Sequence, residues 1–332
     1  MIEKKVYIIT DCSKEIGLGH IARCLSFYDK LSEKGYEVEM IIDSHDVGSE
    51  MYGQRIYQWI NWHDDISLLN FVQGNILFLD SLIATQEQSD YLHNLASYFV
   101  VIDDFKRRKY KNTLIVDWTP NVEHTDKHAH NMGDGNSLLL GLSYSVLREP
   151  FVLPFEYQIS ELKTLTICMG GSDIRNLTLP ILHSLYAFFP AIEINTILGP
   201  GIKITPSLID NRIIYWKSLS AEEMRNVFLK SDLVISAGGQ TLFELAALRI
   251  PTIPIQVADN QTEDLIGLKS LGFFDEIFQW NESCLYDKIV QKIQQLASVS
   301  ARIKYIQRFQ IPGVGKGLDK IVNHIIKNHA SF

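Results

Sequence analysis

A histidine flanked by glycines stands near the start of the chain, in Gly17-Leu18-Gly19-His20. It follows an apolar run, Val6–Thr10, that is typical of a buried strand, and it opens a predicted helix over 20–31. Glycine lets the backbone approach a ligand closely, and a helix N-terminus favours anionic groups. Because histidine ordinarily titrates near neutrality, His20 could act as a catalytic base, with Gly17 and Gly19 in contact with substrate. A purely structural histidine is the alternative.

A dinucleotide fingerprint is another interpretation of the same stretch. Gly17, Gly19 and Ala22 fit the spacing G-x-G-x-x-A, and Asp43 ends the second predicted strand at a distance suited to a ribose contact. In that fingerprint the first glycine follows its strand almost directly, whereas residues 11–16 intervene here. Such an excursion would displace the turn from the pyrophosphate, so we favour the histidine site.

A second glycine-rich segment, Ser236–Thr241, follows another predicted strand and opens a helix that contains Glu244. Its glycines expose backbone N–H groups at a helix N-terminus, an arrangement that suits a diphosphate. A carboxylate one turn further could accept hydrogen bonds from both hydroxyls of a ribose. A capped helix with a solvated glutamate is the alternative.

Two further polar loops follow predicted strands of the second half, at 170–176 and 259–261. Three loops of this kind at the ends of neighbouring strands favour one ligand site. The residues that we predict to bind substrate there are Gly171, Ser172, Asp173, Asn176, Gly239, Gln240, Thr241, Glu244, Asn260 and Gln261.

Other candidates are single charged residues. Asp103 ends a predicted strand, and we predict a catalytic or sugar-orienting role for it. Asp11 and Ser13 precede His20 and could orient that histidine or cap the turn. Arg148 could reach a phosphate or a sugar, or pair with the adjacent Glu149.

Three histidines, His124, His128 and His130, raise the question of a metal site, because the first two are four residues apart. The surrounding stretch is polar and lacks apolar periodicity, which favours a solvated loop. We therefore predict no metal and no cofactor.

Short apolar runs alternate with helix-length segments along the chain, which predicts an α/β protein of two Rossmann-like, doubly wound domains that face each other across a ligand-binding cleft. The predicted domains are 1–150, which carries the catalytic histidine, and 151–332, which binds the nucleotide and ends in a closing helix over 316–327. Pro150 and Pro154 mark the boundary. The predicted strands are 6–10, 38–43, 76–80, 99–103, 114–117, 138–141, 165–169, 192–198, 213–216, 233–236 and 252–257.

Composition excludes several classes of protein. The 332 residues carry a formal net charge of −8 without a compensating basic run, which argues against a nucleic-acid partner. No apolar run approaches the roughly 20 residues that span a bilayer, so we predict no stable membrane insertion. Four scattered cysteines lack a Cys-x-x-Cys pair, which is typical of reduced thiols, and we expect a cytoplasmic protein. The oligomeric state is not encoded in any of these patterns.

Taken together, these motifs resemble a known family. The second half, with Gly238-Gly239-Gln240-Thr241, Glu244 and Asp259-Asn260-Gln261, is similar to the donor-nucleotide domain of glycosyltransferases related to MurG. The first half resembles the PseG-type UDP-sugar hydrolases and the related SpsG-type proteins. The segments that carry this second resemblance are 11–24, 102–104, 140–148 and 170–178.

The resemblance implies hydrolysis of a UDP-2,4-diacetamido-2,4,6-trideoxyhexose in nonulosonic acid biosynthesis, inverting and without a metal. It implies His20 as the base, Glu244 at the uridine ribose and residues 239–241 at the diphosphate, with 260 and 261 near the sugar and the phosphates. Arg23, in the same motif as His20, is predicted to contact substrate. Ser81-Leu82 stands where the family commonly has His-Tyr, which leaves the sugar open. The alternatives are a MurG-like glycosyltransferase for a cell-surface polysaccharide and a UDP-sugar-binding protein without turnover.

Overall fold

Two compact units make up the chain: Met1–Leu147 together with Gly315–Phe332, and Arg148–Val314. The computed structural model describes residues 5–11, 19–43, 53–104, 108–199, 202, 208–309 and 314–329. The chain therefore leaves the first unit once, forms the second unit without interruption, and returns.

Strands and helices alternate through most of the described residues. The strands are β1 Lys5–Asp11, β2 Glu37–Asp43, β3 Tyr57–Trp59, β4 Ile76–Asp80, β5 Tyr98–Ile102, β6 Thr113–Asp117, β7 Ser137–Leu140, β8 Thr164–Cys168, β9 Glu193–Leu198, β10 Ile213–Lys217, β11 Leu233–Ala237, β12 Thr252–Gln256 and β13 Phe278–Gln279. The helices are α1 Gly19–Glu33, α2 Gln86–Leu95, α3 Thr178–Phe188, α4 Ala221–Leu229, α5 Gln240–Ala247, α6 Thr262–Ser270, α7 Leu285–Gln295, α8 Val299–Gln307 and α9 Gly317–His329.

The first unit is built on a parallel sheet with the strand order β3-β2-β1-β4-β5-β6-β7. Every residue of β4 and β6 is buried, because helices or loops cover both faces of the sheet. The strand order reverses direction between β1 and β4. In open parallel sheets such a switch point opens a crevice at the carboxyl ends of the strands.

The second unit repeats this plan with a parallel sheet in the order β10-β9-β8-β11-β12-β13. Its switch point lies between β8 and β11. The two Rossmann-like sheets that the sequence predicts are thereby confirmed. The predicted strand positions agree with the structure to within one or two residues, but β3 and β13 were not predicted. Both are edge strands of three and two residues, too short to show a period.

The closing helix differs from its predicted location. We expected it in the second domain, but α9 belongs to the first unit and packs against α1. Ile321, Val322 and Ile325 are fully buried along its apolar face. The backbone N–H of Gly317 donates to the carbonyl of Ser145. The position in sequence suggested the wrong unit, because an amphipathic pattern shows that a helix packs but not what it packs against.

Two expectations from the composition, reduced cysteines and no stable membrane insertion, concern the residues that the structure describes. Cys24, Cys168 and Cys284 are free thiols. Among the helices in the described ranges, none combines the length and the apolar character needed to cross a membrane.

Because α9 packs in the first unit, a shortened side chain on its buried face should destabilise that unit. Ile325→Ala should lower the free energy of unfolding of the first unit by about 2–5 kcal/mol, since it empties a buried site. Hydrogen exchange should show lost protection in α1 and the first sheet. The partly exposed neighbour Ile326→Ala is the control and should cost less. Protection lost mainly in the second unit would contradict the assignment of α9.

Candidate functional site

Aspartates line the carboxyl edge of the first sheet at five neighbouring strands. In sheet order, β2, β1, β4 and β6 end in aspartate and β5 is followed directly by one; these residues are Asp43, Asp11, Asp80, Asp117 and Asp103. A buried carboxylate requires hydrogen-bonding partners. The partners differ from one strand to the next, and they define the site.

His20 and Asp80 meet across the switch point of this sheet. His20 lies in the first turn of α1, and its Nδ1 is 2.7 Å from Oδ1 of Asp80 at the end of β4. A carboxylate only accepts, so Nδ1 of His20 must carry the proton. The Nη2 of Arg23 also lies 3.2 Å from this nitrogen, but a protonated Nδ1 cannot accept, and the shorter contact decides the tautomer. Nε2 is therefore the nitrogen left to take up a proton.

Arg23 holds the other side of the same carboxylate. Its Nε and Nη2 donate to Asp80 over 2.6 Å each, and its Nη1 donates to Asp104 over 2.7 Å. The guanidinium is buried and lies over the Trp118 ring. These bonds fix Asp80 in place, and the predicted contact of Arg23 with substrate stays a prediction.

Opposing effects set the pKa of Asp80. Burial alone would raise it, but the charge and hydrogen bonds of Arg23, together with His20, hold the pKa of this carboxyl well below its usual range. Asp80 therefore stays ionised, and it can keep His20 in one tautomer and one orientation.

The two carboxylate oxygens of Asp11 differ in their hydrogen bonding. Its Oδ2 accepts from Ser81 and lies 3.3 Å from Nε2 of His63. Its buried Oδ1 has no hydrogen-bond partner among the residues that the structure describes. Asp11 thus remains a candidate acceptor for substrate, while Ser81 is occupied by Asp11 and by the N–H of Ala84.

The predicted solvated loop around His128 is only partly correct. His124 is exposed, but His128 is 2% exposed and its Nε2 lies 3.0 Å from Oδ2 of Asp117. Asp117, at the buried end of β6, is the hydrogen-bonding partner that allows this histidine to be buried. The polar sequence around His128 does not reveal that partner. Within the described ranges, no group of His, Cys, Asp and Glu has a geometry that could hold a metal ion.

The predicted loops of the second unit do follow neighbouring strands. Residues 170–173 follow β8, 238–239 follow β11 and 259–261 follow β12. Gly239 has φ +126°, which strongly favours glycine, and it precedes the N-terminus of α5. A side chain at Gly238 would clash with Gln261, whose Oε1 accepts from the N–H of Val257. Gln261 therefore packs over the glycine loop.

The buried Glu244 and the partly exposed Arg148 form an ion pair inside the second unit. Nε and Nη2 of Arg148 donate to the two carboxylate oxygens of Glu244 over 2.7 and 2.8 Å. Glu244 is 1% exposed, so it is not the solvated glutamate of the alternative interpretation. Arg148 pairs with Glu244 in the structure, and each carboxylate oxygen keeps a lone pair for a further donor.

The remaining predicted residues fall into three groups. Asp173 caps α3, because its two oxygens accept from the N–H groups of Leu177 and Thr178, and its predicted contact with substrate stays a prediction. Gly17 and Ser13 lie outside the described residues. The other predicted substrate contacts are on or next to the three loops of the second unit and at the start of α1: Gly19, Gly171, Ser172, Asn176, Gln240, Thr241 and Asn260.

Two residues of this site, Asp80 and His63, were not predicted from the sequence. Asp80 had a detectable signal, since it closes a predicted strand beside the one that leads to His20. His63 had none, because it comes from a loop between β3 and β4.

Comparison with known proteins gives the context for this geometry. No family model matches the chain. It is 28% identical, over 82% of its length, to the Helicobacter pylori protein named pseudaminic acid cytidylyltransferase and UDP-2,4-diacetamido-2,4,6-trideoxy-beta-L-altropyranose hydrolase. It is 25% identical, over 78% of its length, to an uncharacterized Methanocaldococcus jannaschii protein, MJ1062. The chain spans about half the length of these curated relatives, 48% and 57%.

Solved structures share the fold at low sequence identity. Acinetobacter baumannii MurG has a TM-score of 0.58 at 12% identity, covering 96% of this chain and 99% of its own. The S. aureus MnaA-UDP structure has a TM-score of 0.61 at 12% identity, covering 97% and 96%. The chain thus has the fold of two Rossmann-like domains found in these enzymes, and the predicted resemblance to PseG-type and MurG-like proteins is confirmed.

Asp80 predicts a stability that depends on pH. Asp80→Asn should cost about 3–5 kcal/mol at pH 7, since it leaves Arg23 and His20 without their shared carboxylate. Because the pKa of Asp80 is depressed in the folded state, this contribution is present above about pH 4 and is lost as the pH falls below that value. Urea unfolding at several pH values measures it.

The exposed ion pair between Asp29 and Arg55 supplies the matched control. Asp29→Asn should change stability by no more than about 1 kcal/mol, because solvent screens that pair. Equal losses in the two variants would contradict a special role for Asp80.

Proposed function

We propose that this chain hydrolyses a UDP-sugar at the bond between the anomeric carbon and the diphosphate. The observation that carries the proposal is the hydrogen bond between Nδ1 of His20 and Asp80. It leaves Nε2 as a base at a sheet edge where ligands of this fold class bind.

In this mechanism the ionised Asp80 holds His20 in place, and Nε2 takes a proton from a water molecule. The water oxygen forms a bond to the anomeric carbon while the bond from that carbon to the diphosphate oxygen breaks. UDP leaves with the electron pair of the broken bond. A single displacement of this kind inverts the anomeric configuration.

The second unit supplies groups suited to the nucleotide. The glycine loop at 238–239 and the N-terminus of α5 offer backbone donors to a diphosphate, and they can stabilise the departing charge. Glu244, fixed by Arg148, is suited to accept hydrogen bonds from ribose hydroxyls. A protein of the same fold has been solved with UDP.

The sugar is proposed from the relative that has a named substrate. That protein's name gives two activities, a cytidylyltransferase and a hydrolase of UDP-2,4-diacetamido-2,4,6-trideoxy-beta-L-altropyranose. The hydrolase fits the histidine base of this chain, and we propose a substrate of the UDP-2,4-diacetamido-2,4,6-trideoxyhexose class.

A glycosyltransferase is the second candidate, favoured by the shared fold with MurG. There His20 would deprotonate an acceptor hydroxyl in place of water. The two activities differ in whether UDP is released when no acceptor is present.

The decisive assay is UDP release from a panel of UDP-2,4-diacetamido-2,4,6-trideoxyhexoses without an acceptor. The wild-type chain should release UDP, and His20→Ala should slow the release about 10²–10⁴-fold, because the general base is lost. His20→Ala should still bind UDP, since the proposed nucleotide groups lie in the second unit.

His124→Ala, which removes an exposed histidine, is the control and should match the wild-type rate. UDP-sugar that binds without release would rule out the hydrolase and favour the transferase. Release that His20→Ala leaves unchanged would rule out this histidine as the base.

A further inference from the structure

Asp103 differs from the other aspartates at the edge of the first sheet. It is 1% exposed, yet neither of its carboxyl oxygens has a hydrogen-bond partner in the described part of the chain. Asp43, Asp11, Asp80 and Asp117 each accept at least one hydrogen bond. An ionised carboxylate in this position would lack the donors that a buried negative charge requires.

The two buried arginines beside the site use their donors elsewhere. Arg23 is engaged by Asp80 and Asp104. Arg108, 3% exposed, donates from Nε and Nη2 to the backbone carbonyls of Ala84 and Ser81. An ionised Asp103 would therefore receive no hydrogen bond from either arginine.

The groups that act on Asp103 favour its uncharged form. Burial raises its pKa above the usual range, and the negative charge of Asp104 adds to the rise. Arg108, Tyr110 and His128 act in the opposite direction and do not cancel it. The Tyr110 hydroxyl influences Asp103 without reaching hydrogen-bonding geometry with either oxygen.

We propose that Asp103 is held as an uncharged carboxylic acid and donates its proton in a hydrogen bond to an acceptor oxygen of the bound sugar. This inference rests on the proposed function for its ligand. Among the groups of a diacetamido sugar, an amide carbonyl is the acceptor that a neutral acid recognises and a carboxylate repels. Asp103 is thereby a specificity residue for N-acylated sugars, and the base remains His20.

The protonation state of the Asp103 carboxyl can be tested without an activity assay. Asn has nearly the same shape as a neutral Asp, so Asp103→Asn should fold and be at least as stable as the wild type. The native carboxyl keeps a proton that the unfolded chain releases, so wild-type stability falls as the pH rises above about 4. The difference in Tm in favour of Asp103→Asn should therefore grow between pH 4 and pH 7. The exposed Asp90→Asn is the control and should show no such growth.

Carbon-13 labelling of the aspartate carboxyls provides a direct reading in the wild-type protein. The signal that disappears in Asp103→Asn should titrate above the usual range of aspartate. A signal that titrates at or below the ordinary value, or failure of Asp103→Asn to fold, would overturn the proposal. Both results are independent of whether the chain hydrolyses a UDP-sugar.

The ligand is tested by comparing sugars. Asp103→Asn, which retains a donor, should keep KM for the UDP-diacetamidohexose within a few-fold, whereas Asp103→Ala should raise it at least tenfold. With a UDP-hexose that lacks acetamido groups, Asp103→Ala should have little effect on KM. A large loss in Asp103→Asn would show that the ionised form is required. An equal loss in Asp103→Ala for both sugars would show that no acetamido group is recognised.

Discussion

Asp80 is a buried carboxylate between two basic side chains, and the first unit is organised around it. Two parallel hydrogen bonds from Arg23 and one from His20 satisfy this charge at the end of β4. Because Arg23 and His20 both lie in the first two turns of α1, these bonds fix the start of the helix against the sheet across its switch point. The same bonds select the tautomer of His20. Local stability and the proposed chemistry thus depend on one carboxylate.

The two units use the same topology for different purposes. Each has a parallel sheet whose strand order reverses once, and in each the residues at the reversal are the candidate ligand groups. The first unit places aspartates and a histidine there, which suits proton transfer and sugar recognition. The second unit places glycines and the fixed Glu244 there, which suits a nucleotide. This division supports a two-part substrate, and the predicted cleft between the domains stays a prediction.

Sequence patterns were most informative where one residue type has one physical use. Buried strands and the glycine before α5 were predicted because hydrophobic runs and positive φ leave few alternatives. His128 was misinterpreted as part of a solvated loop, because a polar sequence does not reveal a buried partner such as Asp117. The bonds of Arg23 to Asp80 and of Asp173 to the start of α3 were also not predicted, because a polar side chain can serve a ligand or the protein. The location of α9 depended on a partner more than 280 residues away in sequence, α1, which periodicity does not reveal.

Isotope labelling shows which bond breaks, because attack of water on the anomeric carbon lets UDP depart intact. The reaction would be run without an acceptor in water enriched in oxygen-18, and the masses of both products would be measured by mass spectrometry. Hydrolysis at the anomeric carbon should place one heavy oxygen in the freed sugar and none in UDP. Heavy oxygen in the phosphate product would place the cleavage at phosphorus, and the absence of products until an acceptor is added would establish a transferase; either result contradicts hydrolysis at the anomeric carbon.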